Sequence, residues 1–478
     1  MSSFPSTRNY ASLFTGVDVN IPLLNGNQKS YVNLDNAAST PPFKVVQETI
    51  NHFLDYYSSV HRGTGFKSQL STHAFEETRK TVMRFVGADP HIHTCLFGKN
   101  ATEAINKLAH RFPFTPERNI VLTSGMEHHS NDLPWRAATQ TVHVNLTDDG
   151  RLDESDFDAK LDKYADRVAL VSITGASNVT GYLNPIHNLA EKTHGVGAQI
   201  AVDCAQLAPH RKIDMRPLND PTHLDYVAIS AHKLYAPFGT GALIGLRETF
   251  EHGDLDMMGG GTVEIVTLND VVWADPPERE EAGSPNTVGA IALAAAINQL
   301  EAIGMENVVS HEADLTAYTL TLLSTVPGLH LYGDVDPHHA KDRLGVIPFN
   351  LANHSHFQVA AILGYEYGIG VRSGCFCAHP YILHLLGLSP DEAQTARSKI
   401  IAGDKSDMPG MVRASFGLYN TRGDVETLVE ALTAITRGEY HREYIQDPAS
   451  GEFTPVGWKP DFDVYFSLNN SYIKKNDT

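Results

Sequence analysis

The stretch AISAHKLYAPFGTG, residues 228–241, decides how the rest of the chain is read. An apolar run ending at Ile229 passes straight into Ser230, His232 and Lys233, then into a turn built from Pro237, Gly239 and Gly241. A short apolar run bounded by turn residues predicts a buried strand, here at 226–230. A lysine at the end of such a strand is costly unless a pocket uses it. Desolvation lowers its pKa and frees the amine as a nucleophile. Taken alone, a surface lysine after a strand explains the same residues.

Outward from this stretch, similar runs at 92–97, 119–123, 141–145, 168–174, 199–203 and 241–245 predict six more strands. Helical patterns at 101–111, 153–165 and 185–194 lie between them. Strand–helix alternation of this kind predicts an α/β domain around a mainly parallel seven-stranded sheet. Sites in such sheets lie just past the carboxyl ends of the strands. Residues 174–178, 203–206 and 230–233 are placed there. Beyond about residue 300 the pattern changes. Helices predicted at 304–323, 356–364, 390–402 and 425–435 mix with isolated strands at 346–351 and 411–416, the pattern of a smaller α+β domain. The expected division is an N-terminal arm 1–30, a large domain 31–300, a small domain 301–437 and a C-terminal extension 438–478. Pro448, Pro455 and Pro460 make the extension read as irregular and surface-packed.

Composition narrows the function classes. Of 478 residues, 37 are Lys or Arg and 56 are Asp or Glu, a formal charge of −19. That excess argues against a nucleic acid or an anionic membrane as partner. Four cysteines are too few for a disulfide scaffold. The longest apolar run, 288–297, is half the roughly 20 residues a membrane helix needs. No charged segment followed by an apolar one opens the chain, so a cytoplasmic protein is expected. There is no G-x-x-x-x-G-K-[ST] loop, no H-E-x-x-H and no G-x-S-x-G. The neighbouring pairs His91/His93, His338/His339 and His354/His356 lack a carboxylate or cysteine at ligand spacing, so no metal site is expected.

Other segments carry chemistry of their own. In VDCAQ (202–206) an apolar strand ends in Asp203, with Gln206 three residues on. An aspartate there can pair with a protonated pyridine nitrogen and keep a pyridoxal ring an electron sink, or simply cap a turn. NATEAIN (100–106) opens a helix, so the free N–H groups near Ala101 and Thr102 with the Thr102 hydroxyl can cradle an anion. MEHHSN (126–131) offers an imidazole able to stack on a planar ring, and SNVTG (177–181) places Asn178 at a strand end.

Taken in order, these segments with EEAGSPNT (280–287), RSGCFCAHP (372–380) and VRASFGLYNT (412–421) resemble the class V aminotransferase family of fold-type I pyridoxal-phosphate enzymes. Within it the chain is most similar to the group II cysteine desulfurase and selenocysteine lyase branch. The resemblance runs from about residue 33 to 435. It implies pyridoxal 5′-phosphate as cofactor, bonded covalently to Lys233. Asp203 then partners the pyridine nitrogen, Gln206 the ring oxygen, and His128 stacks on the ring and assists proton transfer. Ala101, Thr102, Ser230 and His232 hold the phosphate, with Ser284 reaching it from the neighbouring subunit of a homodimer. Arg413 and Arg372 take the substrate carboxylate, a bidentate task lysine does poorly, and Asn178 contacts the substrate. Cys377, five residues after Arg372, matches the persulfide cysteine, which must be accessible and readily deprotonated. Cys375 stands where relatives often carry histidine and is a candidate resolving thiol; Cys95 and Cys204 read as structural. The implied activity is removal of sulfur from L-cysteine, or selenium from selenocysteine, with release of alanine. A sulfur-acceptor protein is an expected partner. A C–S lyase, an epimerase or an aminotransferase acting on a modified amino acid would use the same cofactor residues without Cys377.

Overall fold

Seven strands form the large sheet: β1 (His93–Gly98), β2 (Ile120–Ser124), β3 (Gln140–Val144), β4 (Val168–Thr174), β5 (Gln199–Asp203), β6 (Tyr226–Ser230) and β7 (Gly241–Leu246). The computed structural model describes residues 9–61, 63–441 and 443–468. Residues 1–8 of the expected arm and 469–478 of the expected extension lie outside the described residues, as do Arg62 and Arg442. The sheet order is β1-β7-β6-β5-β4-β2-β3. Only β7 runs antiparallel to its neighbours, so the sheet is mainly parallel, as the alternating pattern predicts. β4 is buried at every position, which a central strand covered on both faces requires. The predicted strands 168–174, 199–203 and 226–230 match residue for residue; those at 92–97, 119–123 and 141–145 are displaced by one residue at both ends, and 241–245 is extended by one residue at its carboxyl end. Gly241 has a steric reason: a Cβ there would lie 2.5 Å from the backbone of Asn100, so β7 can approach the start of the helix that follows β1 only through glycine.

Helix Ala101–Arg111 starts where predicted because the Asn100 side chain accepts the Glu103 N–H. Three further helices, Lys44–Leu54, Phe66–Phe85 and Thr287–Ile303, pack on one another beside the sheet. The last contains the apolar run 288–297, and nine of its residues are buried within the fold. Among the described residues no single helix is long and apolar enough to cross a membrane.

A second sheet holds β8 (Leu329–Leu331), β9 (Val346–Leu351), β10 (Arg372–Gly374) and β11 (Met411–Ser415) in the order β8-β9-β11-β10, all antiparallel. Helices Met305–Leu323, His356–Tyr367 and Arg422–Thr436 cover it around a separate apolar core that also takes Val32 and Leu34. In this sheet Arg372 and Arg413 stand directly opposite one another, so both side chains leave the same face. The extension is less irregular than its prolines suggest. Tyr444–Gln446 and Phe453–Pro455 form a hairpin, because Asp447 binds the Ala449 N–H and the Ser450 hydroxyl and closes the turn.

Candidate active site

A cavity of about 460 Å³ opens at the carboxyl ends of β4, β5 and β6 and is closed on its far side by residues of β10, β11 and the segment after β10. Every site residue expected from the sequence lines it except Ser284. Ser284 is exposed. Its loop is anchored by Glu281, whose carboxylate takes both terminal nitrogens of buried Arg79, and by Asn286, which donates to the Phe238 and Gly239 carbonyls.

Lys233 ends a single helical turn after β6 and donates to the Gln206 side-chain oxygen at 3.2 Å. Burial pushes its pKa down to about 8, against the opposing charge of Asp203. Its amine is therefore available as a base near neutral pH. Asp203 ends β5 and is buried. Burial raises its pKa, opposed by the Ala205 N–H it accepts at 2.9 Å and by Lys233. His128 accepts the Ser130 N–H at Nδ1, which puts the proton of the neutral ring on Nε2. Burial first, then the charge of Lys233, pushes its pKa down to about 3, so the ring is neutral.

At the start of helix Ala101–Arg111 the expected anion cradle is rearranged. The Ala101 N–H already donates to Ser230 Oγ at 2.8 Å, and the Glu103 N–H to Asn100. Thr102 has its hydroxyl 2.6 Å from that of Ser130, a cavity residue the sequence reading missed. His232 is half-buried, and burial lowers its pKa to about 4.

The opposite wall centres on the two arginines. Buried Arg413 donates to the Asn178 carbonyl at 2.9 Å and to one oxygen of Asp35 at 3.2 Å; Arg372 reaches the other oxygen of Asp35 at 2.8 Å. Asp35 was not anticipated, since nothing in the sequence around it signals that its carboxylate bridges residues far along the chain. Arg413 Nε is buried without a hydrogen-bond partner. A buried unpaired donor is costly, and a substrate carboxylate entering the cavity is the kind of group that relieves it.

Cys377 is exposed at the rim. It and Phe376 both occupy left-handed backbone, at φ 55° and 50°. The Asn178 amide donates to the Phe376 carbonyl at 2.8 Å, the His129 N–H donates to the Cys377 carbonyl at 2.8 Å, and the Arg413 guanidinium lies over the Phe376 ring at 4.7 Å. The His129 ring stacks on that of His379, with Nε2 of one 3.1 Å from Nδ1 of the other. Asn178 thus grips the cysteine-bearing segment as well as facing the cavity. Cys375 is buried, donates to the Pro409 carbonyl at 3.0 Å, and burial raises its thiol to about 12. It is held as a packed thiol, which does not suit a resolving role. Cys95 and Cys204 are buried as well.

The sequence model of the class-V aminotransferase family matches residues 32–428. The chain belongs to that family. Among its class-V relatives, a cysteine desulfurase of Dickeya dadantii is 36% identical over 87% of this chain and 93% of its own. One of Haloferax volcanii is 34% identical over 84% of this chain and 89% of its own. The structure of an apo cysteine desulfurase from Thermococcus onnurineus, 32% identical, covers 91% of this chain and 100% of its own at a TM-score of 0.74. That of an Escherichia coli cysteine desulfurase in an S-sulfonic acid form, 26% identical, covers 90% of this chain with a TM-score of 0.72. The class-V fold described above is therefore the fold-type I architecture, and the chain is an enzyme of that family.

The cavity fits the family's cofactor on its own terms. The buried Asp203 carboxylate accepts the Ala205 N–H at 2.9 Å, which leaves it capacity for a ring N–H. Lys233 stands within reach of the same space, and Thr102, Ser230 and His232 supply polar groups at a helix start for a phosphate.

Proposed function

We propose that the protein is a pyridoxal-phosphate-dependent cysteine desulfurase that takes the sulfur of L-cysteine onto Cys377 and releases alanine. The observation that carries this reading is the placement of an exposed thiol, Cys377, on the rim of the cavity that also holds Lys233 and Arg413. A lyase, epimerase or aminotransferase on the same residues has no need of it. Lys233 would carry the cofactor, Asp203 and Gln206 would hold its ring, His128 would stack on it, and Thr102, Ser230 and His232 would hold its phosphate. When bound, the cofactor supplies an electron sink for charge developing at the substrate Cα.

The chain's own residues do the rest. Arg413 takes the substrate carboxylate with its open Nε edge, and Arg372 adds charge beside it. Lys233 Nζ removes the Cα proton, a task its lowered pKa suits. The Cys377 thiolate attacks the substrate sulfur. A new S–S bond forms and the Cβ–S bond breaks. Its electron pair remains with the carbon skeleton, which takes a proton at Cβ, regains at Cα the proton that Lys233 holds, and leaves as alanine.

The protein acts as a homodimer in this reading, with Ser284 reaching the phosphate of the partner's cofactor. Its exposed position supports this, as does the apolar hairpin Val263–Val266 and Val271–Trp273, where Ile265, Val266, Leu268 and Val272 face outward. A cytoplasmic location and a separate sulfur-acceptor protein complete the proposal. Incubation with L-cysteine tests the reaction: alanine plus transferable sulfur is expected, and pyruvate plus ammonia would mean a lyase.

A further inference from the structure

At the edge of the large sheet opposite the cavity, where β5 and β6 begin, three side chains converge. His194, near the end of helix Ile186–Gly195, places Nε2 3.0 Å from one oxygen of Asp225; His223 places Nε2 3.3 Å from the other. The two rings stack with centroids 4.0 Å apart. Each Nδ1 is already engaged: that of His194 lies 2.7 Å from the Pro221 carbonyl, and that of His223 lies 2.7 Å from the Asp220 carbonyl. A carbonyl only accepts, so both Nδ1 atoms carry hydrogen. In neutral rings each Nε2 then turns a lone pair toward a carboxylate that itself offers only lone pairs. The contact is satisfied by a second proton on both rings, which sets two like charges face to face, or by one cation shared among the three.

The geometry is that of ligating histidines, whose Nδ1–H on a backbone carbonyl fixes the tautomer and aims Nε2. Around tetrahedral zinc, with bonds of about 2.0 Å, neighbouring ligand atoms stand about 3.3 Å apart. The observed 3.0 and 3.3 Å lie close to that edge. A second observation comes from β1. His93 is buried and its Nε2 has no hydrogen-bond partner. Leu246 pairs with His93 and Gly245 with Tyr226, so the row through His93 continues to Asp225 on the same face. Asp225 and His223 both act electrostatically on the His93 ring.

We propose that His194, His223 and Asp225 bind one zinc-class divalent cation that braces helix Ile186–Gly195 and residues 220–225 against the sheet. Two imidazole ligands favour zinc or its neighbours over magnesium or calcium. The fourth position falls to water.

The test uses full-length Cys377→Ser protein, which removes the exposed thiol as a rival ligand. The protein is stripped with a chelator and titrated with zinc chloride, bound metal is counted, and cobalt in place of zinc reports the ligand set by its visible absorption. One ion per chain, a tetrahedral-type cobalt spectrum and a raised melting temperature are expected, with no response to magnesium. His194→Gln and His223→Gln should each weaken zinc binding by about tenfold or more, while a His338→Gln/His339→Gln double variant keeps it. No saturable zinc, or unchanged affinity in both single variants, overturns the site. If either single variant fails to fold, the parent's cobalt spectrum decides: a tetrahedral nitrogen–oxygen signature supports the site and its absence overturns it.

Discussion

The two walls of the cavity are built by different means. On the sheet wall, Asp203, Gln206 and Ser230 sit at or just past the ends of buried strands, and the ladder register alone fixes where they stand. On the opposite wall, Phe376 and Cys377 hold left-handed backbone, which costs a non-glycine residue on the order of 1–3 kcal/mol. That segment is held by side chains and single backbone bonds: the Asn178 amide, the His129 N–H and the Arg413 guanidinium. The comparison separates two tasks. In the proposed function, the groups that would manage charge on a bound ring are fixed by the fold, while the thiol that would meet a substrate and then pass its sulfur on sits where a few contacts set its position.

Breaking the sheet wall should have the largest effect. Lys233→Ala should lower turnover of L-cysteine by about 10³-fold or more and abolish borohydride-stable attachment of pyridoxal phosphate; persistence of that attachment would relocate the lysine. The same wall sets the pH response. Proton transfer needs the neutral amine, so exchange of the substrate Cα hydrogen into D₂O should rise with pH through about 8 and level off above it. Cys377→Ala protein isolates this step, because it leaves Lys233 intact, and NMR reads the exchange directly. A profile falling with pH would assign the proton to another group.

Loosening the other wall should cost less. Asn178→Ala removes one buried hydrogen bond to the Phe376 carbonyl, worth about 1 kcal/mol. Sulfur transfer should fall roughly tenfold while Cα exchange changes far less; equal losses in both would place Asn178 on the substrate rather than on the segment. The smallest effect is expected from Asp35→Asn. It removes the charge that aligns Arg372 with Arg413, so KM for L-cysteine should rise by about fivefold, with kcat nearly unchanged. A fall in KM would mean that Asp35 competes with the substrate carboxylate.

What the sequence revealed follows the same divide. β4, β5 and β6 were legible to the residue because parallel strands buried on both faces are short, continuous apolar runs ended by polar groups. Lys233, Asp203 and Gln206 were legible because a strand end is a local feature. Asp35 was not, since its partners lie far along the chain and meet only when β10 pairs with β11. The status of Cys375 also needed three dimensions: in sequence it mirrors Cys377, yet it points into the core. Helices Lys44–Leu54 and Phe66–Phe85 escaped the reading because no strand alternates with them and they pack chiefly on Thr287–Ile303.

The most direct test of the central proposal is the mass of the protein after a single turnover with L-cysteine under anaerobic conditions. Peptide mapping should find one added sulfur atom on the peptide that carries Cys377, none on Cys375, and one alanine released for each sulfur retained. Turnover of L-cysteine with no sulfur gained at Cys377, or near-normal alanine formation by Cys377→Ala protein, would contradict the account.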